Sequence, residues 1–169
     1  MRFWNSRVLA MVAIVLAGTS TAGELALPQG RVLLTVSGEI SNHNGEGGTA
    51  RFDRAMLEAL DWQEVETYTS FTEGPQVFAG PSLRSLLEAV GATGSILRAS
   101  AINDYSVEFE ATLAAEHDVF LAMVQNGKVM RVRDKGPIWV VFPLSEEEVA
   151  FKPFDNEMIW QLNRIEVRD

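Results

Sequence analysis

The sequence predicts a β-rich α+β domain, a mixed sheet accompanied by a few short helices. Three observations carry this expectation. Short runs rich in β-branched and apolar residues recur along the chain, separated by turn residues at Gly38, Gly74-Pro75, Asn103-Asp104, Asn126-Gly127 and Pro143. Sustained helical spacing of apolar residues is confined to one segment, Pro81 to Val90. The chain has 169 residues and no cysteine, long enough to bury a core without disulfides and too short for two comfortable domains.

The elements follow in order. Arg31 to Ser37 (RVLLTVS) ends at Gly38 and reads as a strand, and Ser41 to Gly48 (SNHNGEGG) is loop by composition. Asp53 is placed to cap a short helix with Met56, Leu57 and Leu60 on its apolar face. Glu64 to Phe71 alternates as a strand. Pro81 to Val90 (PSLRSLLEAV) is a helix, with Pro at its start and Gly91 as its stop. Ile96 to Ala101 and Tyr105 to Phe109 are strands about the Asn103-Asp104 turn, and Ala111 to Glu116 forms a turn or two of helix. Val119 to Val124 and Val129 to Val132 flank Asn126-Gly127, the strongest hairpin signal in the chain. Ile138 to Phe142 (IWVVF) is a buried strand by composition, Glu146-Glu147-Glu148 a solvated loop or helix start, and Leu162 to Val167 the last strand.

The first residues have the three-part pattern of an export signal. Arg2 and Arg7 precede an uncharged run, Val8 to Ala17, which is short for a bilayer span, and Ser20-Thr21-Ala22 supplies small residues for cleavage. Cleavage after Ala22 leaves residues 23–169 as one domain in the periplasm, with a net charge of −11 in place of −9. The acidic balance disfavours nucleic acid as a partner.

Few catalytic patterns are present. His43 and His117 are isolated and lack metal-ligand spacing, no G-x-S-x-G occurs, and no glycine-rich phosphate loop follows a strand. The densest chemistry is Asn126 to Lys135 (NGKVMRVRDK), which gathers Lys128, Arg131, Arg133 and Lys135. If Val129 to Arg133 is extended, Arg131 and Arg133 share one face and can grip a phosphate, sulfate or carboxylate. The same residues also read as a solvated hairpin edge guarded by charge. Trp139 and Trp160 read as core.

GPSLRSLLEAVGA (80–92), INDYSVEF (102–109), LAMVQNGKVMRVRDKGPIWVVFP (121–143) and WQLNRIEV (160–167), with VSGEIS (36–41) before them, resemble the molybdopterin-binding domain of the sulfite oxidase family. The order and spacing of these segments carry the resemblance across most of residues 31–167. It implies a pocket that includes Asn103, Asp104 and Tyr105 together with Lys128, Arg131, Arg133, Lys135 and Gly136. Two departures matter. Active members hold molybdenum through a cysteine thiolate upstream of the helix, and Glu66 to Phe78 contains none. Where the family has H-G-x-P-L-R, this chain has Asp134-Lys135-Gly136-Pro137-Ile138-Trp139.

Three functions follow. The favoured one is a periplasmic binding or sensory-accessory module without a cofactor, taking a small anion, a pterin-like ligand or a partner protein. A second is a molybdopterin-dependent oxidoreductase with a non-thiolate metal site. A third is a cofactorless subunit for a membrane-bound sensor or redox partner.

Overall fold

The computed structural model describes residues 25–169. The expected export segment, residues 1–22, lies outside the described residues. Among the described residues no helix is long and apolar enough to cross a membrane.

Strand β1 (Val32–Gly38) buries Leu34 and Val36 and turns Thr35 and Ser37 to the other face. β2 (Ala50–Asp53) pairs antiparallel with it and was not foreseen, since four residues including an arginine and an aspartate carry little strand signal. The helix expected at Asp53 is α1 (Arg54–Glu58). Oδ1 of Asp53 accepts the Met56 N–H at 3.0 Å, and Oδ2 accepts the N–H groups of Gln29 and Gly30, both at 2.7 Å. One carboxylate therefore caps a helix and anchors the chain ahead of β1. These backbone donors, Met56 first, hold the carboxyl below its ordinary value of 3.8.

β3 (Trp62–Thr67) starts and ends earlier than the Glu64–Phe71 strand expected. After Thr67 the backbone turns to other partners: Tyr68 N–H donates to the Leu144 carbonyl, and Thr69 Oγ1 accepts the Phe71 N–H. Local hydroxyl bonds of this kind compete with a ladder. β4 (Gln76–Pro81) was missed because Ala, Gly and Pro dilute its pattern. Pro81 therefore closes a strand, and α2 (Leu83–Val90) opens one residue after Ser82, whose Oγ accepts the Ser85 N–H at 3.1 Å. Gly91 ends the helix in the left-handed region at φ 59°, as its sequence position predicts.

β5 (Ile96–Ala101) and β6 (Ser106–Glu110) form the expected pair about the Asn103-Asp104 turn, followed by α3 (Leu113–Glu116). The run after it is divided. β7 (Phe120–Ala122) and β8 (Val124–Gln125) belong to different sheets, because Met123 N–H turns aside to the Ala79 carbonyl at 2.8 Å. The Asn126-Gly127 hairpin joins β8 to β9 (Lys128–Val129), with both loop residues at positive φ. β10 (Trp139–Val141) is buried throughout. α4 (Glu146–Val149) is the acidic run started by a capping box between Ser145 and Glu148, and β11 (Leu162–Arg168) is the last strand.

The strands form a five-stranded sheet in the order β2-β1-β11-β5-β6, a four-stranded sheet β3-β4-β8-β9, and a two-stranded ribbon β10-β7 between two cores. Among the described residues only β1 and β11 pair in parallel. Leu121 and Val140 of the ribbon face the larger core, with Leu83, Leu86 and Phe142. Phe120, Ala122, Trp139 and Val141 face a smaller core with Phe78 and Met130.

Two outcomes follow. Leu121→Ala, at a fully buried position, is expected to cost about 2–5 kcal/mol in urea unfolding. Asp53 stabilises the fold above pH 3.8, its ordinary value, and that contribution is lost as pH falls through its lower folded value. Asp53→Asn should accordingly be less stable near neutrality and lose less on acidification than the parent, as read by pH-dependent melting.

Candidate functional site

The β5–β6 turn sends its side chains to two places. Asn103 and Tyr105 line a mostly apolar cleft of about 340 Å³, with Phe71, Asp155, Asn156 and Trp160 among its walls. Asp104 points elsewhere, to the outer face of the five-stranded sheet, where its Oδ1 accepts from Arg164 Nη2 at 2.6 Å. The turn requires this split. Tyr105 N–H donates to Asn103 Oδ1 at 3.2 Å, and Asp104 takes a left-handed φ of 66° that aspartate tolerates better than most residues.

The cleft stands on a packed series of aromatic rings. Trp139 is fully buried, meets Phe78 edge-on at 5.3 Å, and donates its Nε1–H to the Met158 carbonyl at 2.9 Å. Trp160 meets Trp139 at 6.3 Å and Phe71 at 5.2 Å, both edge-on. The core reading holds for Trp139 and is corrected for Trp160, which is 39% exposed at the mouth of the cleft. Tyr105, at 56%, is more exposed still. Lys135 reaches the underside of this cluster. Its Nζ donates to the Phe71 carbonyl at 3.1 Å and lies 5.0 Å from the Trp139 ring. Asp155 adds a negative charge to the wall and accepts from Ser70 Oγ at 2.7 Å.

The cationic stripe is not extended. Lys128 lies in β9, and Val132–Asp134 forms a 3-10 turn, so the common face expected of Arg131 and Arg133 on a strand does not form. Both arginines turn to Asp134 instead, Arg131 at 2.9 Å and Arg133 at 3.7 Å. The hydrogen bond from Arg131 is the main reason that the Asp134 carboxyl lies below its ordinary range. Asp134 follows Arg133 directly and stands three residues after Arg131, so its carboxylate reaches both guanidiniums within the turn. Lys128 and Arg131 border a separate groove with Asn126 and Asp134. Gly136 N–H donates to the Arg131 carbonyl at 2.8 Å, and the Gly136-Pro137 bond is cis. The eight residues singled out in the sequence thus fall into three places, and only Asn103, Tyr105 and Lys135 gather around one cluster. Phe71, Asp155 and Asn156 were not singled out, and Trp160 was read as core. Their one signal was the aromatic and polar composition of two irregular segments.

The residues present do not fit a molybdenum–pterin centre. There is no sulfur donor of the thiolate kind, and the hydroxyls upstream of α2 are engaged. Thr67 Oγ1 accepts the Leu144 N–H at 2.6 Å and donates to the Leu144 carbonyl at 3.0 Å, while Thr69 and Thr72 bond each other at 2.9 Å. No group of three histidine, aspartate or glutamate side chains suited to a metal ion occurs among the described residues. Of the four cations expected at the pocket, Arg131 and Arg133 are paired with Asp134 and Lys135 is turned to the Phe71 backbone.

Exposure separates the two kinds of aromatic residue. Tyr105→Ala should change stability by less than about 0.5 kcal/mol. Trp139→Ala should cost about 3–5 kcal/mol, with denaturant unfolding as the measure of both.

No family model and no curated protein matches the sequence. Among solved structures the chain is similar to the sulfane dehydrogenase SoxCD from Paracoccus pantotrophus, at 18% identity and a TM-score of 0.61. The likeness covers 80% of this chain and 38% of that one, so the chain spans well under half the length of its neighbour. It is a likeness of fold: mostly strands with a few short helices, the β-rich α+β architecture of the sulfite oxidase type that the sequence predicts.

Proposed function

We propose that this is an exported, non-catalytic binding protein on a sulfite-oxidase-type fold, whose ligand is a small planar heteroaromatic molecule held between Tyr105 and Trp160. The observation that carries the proposal is the cleft itself. Two aromatic side chains remain substantially exposed at an apolar recess of about 340 Å³, and Asn103, Asn156 and Asp155 bring hydrogen-bonding groups to its rim. Pockets for small molecules combine these features: apolar walls that gain from burial and a few polar groups that orient the ligand.

Charge narrows the class. Asp155 lies on the wall, and the ammonium of Lys135 is committed to the Phe71 carbonyl and the Trp139 ring. An anion gains little there. A neutral bicyclic ring of the pterin kind, without a phosphate, suits the walls and the amide-bearing rim. In the periplasm, occupancy of the cleft would be reported to a membrane-bound sensor or redox partner. That part of the proposal is motivated by the export signal and the lack of catalytic groups.

Titration with pterin and other bicyclic heteroaromatics, followed by tryptophan fluorescence, should saturate. Tyr105→Ala and Trp160→Ala should each weaken binding by about tenfold, the worth of one aromatic contact. Elemental and pterin analysis of protein from a molybdenum-cofactor-competent host should show no stoichiometric molybdenum. Stoichiometric metal would overturn the non-catalytic reading in favour of a molybdopterin-dependent oxidoreductase with a non-thiolate site.

A further inference from the structure

The outer face of the five-stranded sheet carries a second constellation, made of different residues from the cleft. Cross-strand pairing sets polar side chains in rows: Arg164 opposite Ser100 and Ser100 opposite Ser106, then Glu166 opposite Arg98 and Arg98 opposite Glu108. A shallow pocket of about 280 Å³ opens over these rows. Three hydroxyls (Ser37, Ser100, Ser106), two guanidiniums (Arg98, Arg164) and the carboxylates of Asp104 and Glu166 line it.

The charges divide unequally between committed and available groups. Glu166 is held by Arg168 at 2.7 Å, and Arg168 also bonds Glu108 at 2.9 Å. Arg98 forms no ion pair within 4 Å among the described residues. Arg164 is engaged only by Asp104, whose side chain is 81% exposed. Ser100 and Ser106 share one hydrogen bond at 2.8 Å and Ser106 Oγ also donates to the Asp104 carbonyl at 3.4 Å, so the hydroxyl left to donate outward is that of Ser37, which has no partner among the described residues. The pocket therefore lines two guanidinium forks and a serine donor with one exposed carboxylate, Asp104, that an anion would replace.

We propose that this pocket binds a small tetrahedral oxyanion of the sulfate or phosphate type, and that Asp104 is its internal stand-in. The incoming anion takes the Arg164 guanidinium from Asp104 and adds Arg98 and a serine hydroxyl. The displaced carboxylate swings into water, where it is well solvated, so breaking its exposed pair with Arg164 costs little. Asp104 lies at the tip of the β5–β6 turn, and its neighbours Asn103 and Tyr105 face the aromatic cleft. Occupancy of the oxyanion pocket would thus be felt at the turn that walls the cleft.

Calorimetric titration of the purified protein with sodium sulfate, at ionic strength fixed with chloride, tests the site. Saturable binding is expected. Asp104→Asn, which keeps a residue tolerant of positive φ, should tighten it by up to about fivefold by removing the exposed competing pair. Arg98→Met and Arg164→Met should each weaken it by at least about tenfold, as loss of a charge-assisted hydrogen bond requires. The Arg164 side chain is half exposed, so its variant reads the loss even if Arg98→Met fails to fold. No saturation in Asp104→Asn would overturn the proposal. So would a sulfate response that survives unchanged in Arg164→Met, which would be general ionic screening.

Discussion

The ribbon of β7 and β10 is the constraint on which the rest of the structure depends. Its six residues are all essentially inaccessible to solvent, and successive side chains enter different cores. A strand pair buried on both faces has no solvent to satisfy its backbone, so neighbouring segments must supply the missing partners. They do so at defined points. Val140 N–H donates to the Ile159 carbonyl, Leu162 N–H to that of Ile138, and Leu83 N–H to that of Val119. These bonds fix where β11 begins, where α2 starts, and how the segment before Trp160 runs. β4 comes so close to the ribbon that a Cβ at Gly80 would collide with the Leu121 carbonyl. The small residue that obscures β4 in the sequence is thus the one its packing needs.

The cleft is tied to the ribbon in two steps. Trp139 lies on the ribbon face that meets Phe78, and its indole N–H is tied to the Met158 carbonyl, so its ring is fixed by both packing and a hydrogen bond. Phe71 and Trp160 are then set edge-on against it and carry the series outward to solvent. The indole of Trp160 is thereby held by ring contacts on its inner side while it stays 39% exposed, and Tyr105, 56% exposed, lines the same cleft.

How much of this was legible depended on whether local chemistry agreed with tertiary context. The Asp53 cap, the Ser82–Gly91 helix, the Asn126-Gly127 hairpin and β5, β10 and β11 were readable because each is fixed by its own residues. β2 and β4 were not, because the arginine and aspartate of β2 and the Ala, Gly and Pro of β4 carry little strand signal of their own. The cationic stripe was read as a strand because Val129, Arg131 and Arg133 alternate. Asp134 decides otherwise by offering one carboxylate to both arginines. Asn103 and Tyr105 were singled out together with Asp104, yet the left-handed turn at Asp104 sends its side chain to the opposite face. Trp160 was read as core because an apolar indole suits one, and only the three-dimensional end of the ring series shows it to be at the surface.

The residues that build this fold and those that would build a metal centre are separate sets. The buried positions need only apolar side chains of suitable volume, a requirement many sequences meet, which is why the fold is shared at 18% identity. A molybdenum ligand set is stricter: one soft donor must stand at one place, and no other side chain replaces a thiolate in both charge and softness. Here that donor is absent, and the nearby hydroxyls have been absorbed into the backbone contacts of Thr67 with Leu144 and of Thr69 with Thr72. The basic residues nearby are paired with acids, Arg131 and Arg133 with Asp134 and Arg164 with Asp104. The fold and a metal centre thus make separable demands on the sequence, and this chain meets the first without the soft donor of the second.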